Sequence, residues 1–94
     1  MNKFSLEGEI VYLDEIRFTP AGISVLNMRI RYSSMQKEAG LNKKVNLEIE
    51  SVVIGELAKV GFILGNKFIF HGFLEKKSLK STQIIFHITH LENK

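Results

Sequence analysis

The chain has 94 residues with a formal net charge of +3, and it contains no Cys. This length predicts one compact domain over residues 1–94, and the lack of Cys excludes a disulfide-held scaffold, a thiolate nucleophile and a Cys-based zinc site. No segment has the continuous apolar run of a signal peptide or of a membrane helix, which predicts a cytoplasmic protein with no membrane partner.

The first half of the chain alternates polar and apolar residues in a way that predicts three β-strands, over residues 4–12, 26–32 and 45–50. The sequence Thr-Pro-Ala-Gly at 19–22 is typical of a type I turn between the first two strands. The polar segment 33–44 predicts a long loop or an extended hairpin tip before the third strand.

The second half begins with residues 53–64, where apolar side chains recur at helical intervals and two glycines limit the helix to a short turn. Two further strands are predicted over 68–75 and 84–89, joined by the loop 76–82. This order predicts an all-β fold, a five-stranded OB-fold Greek-key barrel with a short helical turn between strands 3 and 4. An SH3-like barrel or a small sandwich would give a similar pattern of elements.

Basic side chains are concentrated around two of the turns, with Lys43 and Lys44 at one and with Lys76, Lys77 and Lys80 at the other. The loop between the last two strands is a common ligand-binding element of OB barrels, and lysines there can follow a flexible polyanion. A solvated hairpin tip is the alternative interpretation.

Arg29 and Arg31 lie on the polar face of the second predicted strand, where guanidinium groups can bind phosphate or stack on bases. A register that pairs Ile30 with Leu47 would place Arg29 opposite Glu48, so the charges could instead neutralise each other. The two roles are compatible, because a guanidinium group can serve both.

The aromatic residues favour core positions over base-stacking positions. Those on apolar faces are Phe4, Tyr12, Tyr32, Phe68, Phe70 and Phe86, and we predict that these are core. The freer candidates are Phe18, Phe62 and Phe73.

Catalysis is not predicted, because no nucleophile elbow, phosphate loop or metal-ligand spacing surrounds the three histidines. We therefore expect no enzyme activity, no metal and no cofactor. A hairpin of the last two strands could place His71 opposite His87, close enough to bind a metal or to respond to pH. A polar cross-strand pair is the favoured alternative, since no third ligand is evident.

Three segments carry a family resemblance. They read Phe-Thr-Pro-Ala-Gly-Ile at 18–23, Gln-Lys-Glu-Ala-Gly at 36–40 and Leu-Gly-Asn-Lys-Phe-Ile-Phe-His-Gly-Phe at 64–73. With similarity running from residue 4 to residue 91, the chain resembles the primosomal replication protein N (PriB) family, which is related to bacterial single-stranded DNA-binding protein.

The resemblance implies a homodimer of OB barrels that binds single-stranded DNA. It also implies a scaffold for a restart helicase and other primosome proteins, with no turnover of its own. The family's binding surface falls on Arg17 before the turn, on Leu41 and Asn46 where the family has aromatic residues, and on lysines of the last loop. An OB-fold protein-protein interaction module with weak or no DNA binding is the alternative.

The departures at the two aromatic positions change the expected mode of binding, because stacking is replaced by charge. We expect binding that is weaker and more sensitive to salt than the family norm. The predicted nucleic-acid-binding residues are Arg17, Arg29, Arg31, Leu41, Lys43, Lys44, Asn46, Lys76, Lys77 and Lys80.

Overall fold

A computed structural model describes all residues, 1–94, as six strands and one 3-10 helix. The elements are β1 (Phe4–Leu13), β2 (Arg17–Phe18), β3 (Ser24–Glu38), β4 (Leu41–Ile54), η1 (Glu56–Lys59), β5 (Lys67–Lys76) and β6 (Ile84–Asn93). No helix is long and apolar enough to span a membrane.

The strands pair in the order β1-β5-β6-β4-β3-β2, and β1 also pairs with β3. This second pairing closes β1, β3, β4, β5 and β6 into a barrel, while the two-residue β2 lies at the side of β3. The helix η1 connects β4 to β5, as expected for an OB fold. The predicted five-stranded barrel is therefore confirmed.

Alternate residues of each strand point into the barrel and form one hydrophobic core. Its buried members are Leu6, Ile10, Leu26, Met28, Ile30, Val53, Ala58, Phe70, Phe86 and Ile88. Ala58 belongs to η1, so the helix packs against the strands that it connects.

The helical segment is shorter than the predicted 53–64. Val53 belongs to β4, where it pairs with Leu26 of β3 and with Ile88 of the parallel strand β6. Strand pairing on both sides outweighs a helical spacing of apolar residues, and the strand stops before Gly55, which has a φ of 93°. Only Glu56–Lys59 is helical.

The segment 33–44 forms an extended hairpin, which was one of the two structures predicted for it, and not a long loop. β3 runs to Glu38 and β4 starts at Leu41, so only Ala39 and Gly40 form the turn. Both turn residues have positive φ, as a two-residue hairpin turn requires. We call residues 33–46 the β3–β4 ribbon.

The register of β3 against β4 differs from the expected one by two residues. Ile30 pairs with Ile49 and not with Leu47, so Arg29 lies opposite Glu50 and Arg31 opposite Glu48. A shift of two residues leaves every side chain on its face, so alternation could not exclude it. The two-residue turn fixes the register instead.

The predicted pairing of His71 with His87 is wrong. His71 lies opposite His90, and His87 lies opposite Phe73. Between these pairs the ladder shifts by one residue, and Gly72 pairs with Ile88. The extra residue on β6 is Thr89, a β-bulge that alternation in the sequence does not reveal.

Candidate nucleic-acid interface

The surface of β3 and β4 that points away from the core carries several of the predicted binding residues, and we call it the outer face. Strand alternation places there Asn27, Arg29, Arg31, Ser33, Lys44, Asn46, Glu48 and Glu50.

Two ion pairs cross this face between the strands. Arg29 Nε donates to Glu50 Oε1 at 2.7 Å, and Arg31 Nε lies 3.7 Å from Glu48 Oε2. The hydrogen bond to Glu50, together with the charge of that carboxylate, raises the pKa of Arg29, which stays ionised. A guanidinium group has five N–H donors, so each arginine keeps donors for a phosphate.

Arg17 extends the row of guanidinium groups along β3. It lies in β2 opposite Val25, and its Nη2 donates to Asn27 Oδ1 at 3.3 Å. Since Asn27 is the outer-face residue next to Arg29, the structure brings Arg17 of β2 into one row with Arg29 and Arg31 of β3.

Tyr12 lies on the outer face, and its predicted core position is wrong. Its side chain is 46% exposed, and the Arg29 guanidinium carbon lies 5.4 Å from the ring centroid. The cause is a β-bulge at Val11, because Ile10 pairs with Ile30 while Tyr12 pairs with Arg29. The only sequence signal is that Val11 and Leu13 break the alternation there.

The β3–β4 ribbon separates the binding residues predicted within it. Lys44 and Asn46 lie on the outer face, and Asn46 Oδ1 accepts a hydrogen bond of 2.7 Å from Ser33 Oγ. Leu41 and Lys43 lie on the opposite side of the ribbon, where Leu41 is 72% exposed. Lys43 and Asn46 therefore lie on opposite surfaces of the ribbon.

The loop between β5 and β6 presents three exposed lysines without an acidic partner. Lys76 Nζ donates to the carbonyl oxygen of Leu79 at 3.2 Å, and the Lys77 amide donates to Gln83 at 2.9 Å, which closes the loop. None of Lys76, Lys77 and Lys80 forms an ion pair. The charge of these three lysines is therefore not neutralised by an ion pair.

His71 and His87 do not contact each other, and each one lies beside a different carboxylate. His71 Nε2 lies 2.9 Å from Glu92 Oε1, and its Nδ1 shares a hydrogen bond of 2.7 Å with Ser5 Oγ. His87 Nε2 lies 3.0 Å from Glu75 Oε1, and its ring stacks on that of Phe73. No group of three His, Asp or Glu side chains converges on a position for a metal ion.

A closed five-stranded barrel with a short helix between β4 and β5 defines an OB-fold protein. The comparisons agree with this class. Residues 2–90 match a family described as another single-strand binding protein family.

Relatives and solved structures narrow the class further. Replication restart protein PriB of Nitrosomonas europaea is 30% identical over 93% of this chain and 82% of that protein. PriB of Neisseria meningitidis serogroup C is 35% identical over 97% of this chain and 92% of that protein. The chain therefore belongs to the PriB family of replication restart proteins, as its sequence resemblance indicated.

One of two structural matches supports the same assignment. The priB structure from Ralstonia solanacearum superposes with a TM-score of 0.85 at 30% identity, over 100% of this chain and 99% of that one. The wild-type single-stranded DNA binding protein from Thermus aquaticus gives a TM-score of 0.78 at 19% identity, over 98% of this chain and 49% of that one. This second match bears on the fold alone.

Proposed function

We infer that the protein binds single-stranded DNA as an accessory protein of the replication restart primosome, acting as a dimeric scaffold for a restart helicase. The observation that carries this proposal is the row that Arg17 of β2 forms with Arg29 and Arg31 of β3 on the outer face of an OB barrel. The names of the relatives, which are replication restart proteins, support the same role.

We take the ligand to be a single strand because residues 2–90 match a family described as a single-strand binding protein family. Single-strand binding by OB folds combines a positive groove along the backbone with stacking of exposed bases. The arginine row and the unpaired lysines of the β5–β6 loop supply the charge.

Binding depends on charge more than on aromatic stacking along the ribbon. Leu41 and Asn46 have no aromatic ring, while Lys43 and Lys44 add charge on the two sides of the ribbon. The competing carboxylates of Glu48 and Glu50 reduce the net charge of the outer face. Weak binding with a strong dependence on salt follows.

The first half of β1 supports the dimer. Residues 4–8 pair with β5 along one edge, whereas pairing with β3 begins at Glu9. The other edge of residues 4–8 is an unpaired row of backbone groups, which a second copy covers by strand pairing. The dimer acts in the bacterial cytoplasm by holding DNA and helicase together, and it needs no cofactor.

A protein-interaction module with little DNA binding is the second candidate. It is favoured by a group of exposed apolar side chains near η1, namely Ile54, Val60, Ile63 and Leu64. Exposed apolar groups of this kind are typical of surfaces that bind another protein.

Fluorescence anisotropy of a labelled oligo(dT) at low salt separates the two candidates. We expect the wild type to bind. Replacement of the β5–β6 lysines Lys76, Lys77 and Lys80 by Ala should weaken binding. The matched control replaces Lys59, Lys67 and Lys94, which lie outside the β5–β6 loop, and it should weaken binding less. No binding of the wild type at low salt would overturn the DNA-binding proposal. Light scattering then tests the dimer, which should have twice the 10.7 kDa mass of the chain.

A further inference from the structure

We propose that Tyr12 and Arg29 form a nucleobase-stacking platform on the outer face, which substitutes for the aromatic residues missing at Leu41 and Asn46. The inference rests on the proposed function, because it assumes that the ligand is single-stranded DNA. It assigns the base contact to β1 and β3 and not to the ribbon.

The backbone of β1 is built so that Tyr12 points outwards. Without the bulge at Val11, Tyr12 would follow the buried Ile10 into the barrel. With it, Tyr12 lies opposite Arg29, and Leu13 returns to the inner side opposite Met28. β-Bulges are common where a side chain must be redirected next to a functional site.

The ring of Tyr12 is both accessible and supported. Almost half of the side chain is exposed, while the guanidinium of Arg29 lies over the ring. Arg29 is itself fixed by its 2.7 Å hydrogen bond to Glu50. The guanidinium covers one face of the phenol ring, and the exposed part of the ring offers a π surface on which a base of any type can stack.

Basic groups lie on both sides of this surface along β3. Arg17, through Asn27, lies on one side of Arg29, and Arg31 lies on the other. Residues two apart in an antiparallel strand are separated by about 7 Å. A base on Tyr12 would therefore have phosphate-binding groups within reach in both directions along the strand.

The competing explanation is that Tyr12 only covers Arg29 and contributes to stability. In that case the ring is not contacted by DNA, and its replacement changes folding but not binding. Intrinsic fluorescence distinguishes the two explanations, since stacking of a base on a tyrosine quenches its emission.

The chain suits this measurement because it has two Tyr and no Trp. In a Tyr32→Phe variant, Tyr12 is the only tyrosine, and we expect its fluorescence to fall as oligo(dT) is added. By anisotropy, Tyr12→Leu should bind about 5-fold more weakly or worse, and Tyr12→Phe should stay within about 2-fold of wild type, because stacking needs the ring and not the hydroxyl.

Ile63→Ala is the matched control. Ile63 is a large apolar residue that is 64% exposed and lies between η1 and β5, outside the arginine row and the β5–β6 loop, so its replacement should leave DNA binding unchanged. Circular dichroism of each variant checks that the barrel is folded.

The outcomes separate this inference from the proposed function. If the Tyr32→Phe variant binds oligo(dT) without quenching and Tyr12→Leu binds like wild type, the platform is overturned and the DNA-binding proposal stands. If the wild type does not bind at low salt, both are overturned.

Discussion

Arg29 and Arg31 each face a carboxylate of β4, which affects both the stability of the fold and the binding of a ligand. Glu50 fixes Arg29 at 2.7 Å, whereas Glu48 lies 3.7 Å from Arg31. Exposed ion pairs of this kind stabilise a fold by only about 0.2 to 1 kcal/mol. The carboxylates therefore matter less for folding than for their competition with phosphate groups.

Neutralising Glu48 should strengthen DNA binding. In Glu48→Gln the Arg31 guanidinium loses its competing carboxylate, and we expect the affinity for oligo(dT) at low salt to rise several-fold. Anisotropy titrations measure this change. The matched control is Glu92→Gln, which removes the same charge beside His71. Equal gains in both variants would contradict a specific role of Arg31.

The sequence predicted the exposure of some residues of the candidate site correctly and that of others wrongly. The polar positions of Arg29 and Arg31 followed from alternation, and so did the possibility of ion pairing, although with Glu48 assigned to Arg29. The exposure of Tyr12 did not follow, because a bulge depends on how β1 turns from β5 to β3 when the barrel closes. That closure involves contacts distant in sequence.

The β3–β4 ribbon is the element whose removal separates folding from binding. All residues from 35 to 44 are exposed, and Ser34 pairs with Val45. Replacing 35–44 with Asn-Gly would close the ribbon by a two-residue turn. We expect the free energy of unfolding to change by less than about 1 kcal/mol, because no buried side chain is lost.

The same replacement should weaken binding of oligo(dT), since it removes Lys37, Lys43 and Lys44. Urea unfolding and anisotropy measure the two effects. A variant that keeps the ribbon and changes these lysines to Gln is the control, and it should show a similar loss. If the shortened variant no longer unfolds cooperatively, the ribbon is part of the folding unit and the prediction is contradicted.

The contact between β5 and β6 at Gly72 tolerates no side chain. A Cβ there would lie 1.7 Å from the carbonyl oxygen of His87, which is backbone and cannot move aside. We expect Gly72→Ala to lower the free energy of unfolding by about 3 kcal/mol or more.

Gly22→Ala is the control for Gly72, measured in the same urea unfolding experiment. Gly22 has a φ of 83° but open space around its Cα, so alanine there should lose only about 1 kcal/mol through backbone strain. Equal losses at the two positions would mean that strand packing at Gly72 is looser than the structure indicates.

Element types were predictable where local rules decide them. The turn at 19–22 is present, with the Gly22 amide donating to Thr19 at 2.8 Å, and each predicted strand exists. The length of β3 and β4 and the register between them were not predicted, because the polar sequence of the ribbon suits a loop as well as an exposed hairpin. Pairing across the two-residue turn decided between them.

At the scale of the whole molecule, the order of strands and turns allowed a barrel or a small sandwich, and together with the family resemblance it predicted the OB barrel. The charge distribution is a property of the folded molecule, because Arg17 reaches the arginine row only when β2 pairs with β3. The outer face and the β5–β6 loop together form the basic surface proposed to bind DNA. The dimer would present two such surfaces.

The dependence of oligo(dT) affinity on salt tests the central claim most directly. A plot of log affinity against log salt concentration should fall linearly for the wild type. Replacing Lys76, Lys77 and Lys80 with Ala should make the slope shallower by about 2, since each phosphate contact on a single strand contributes about 0.7. A wild-type affinity that does not change with salt, or no affinity at low salt, would contradict the account.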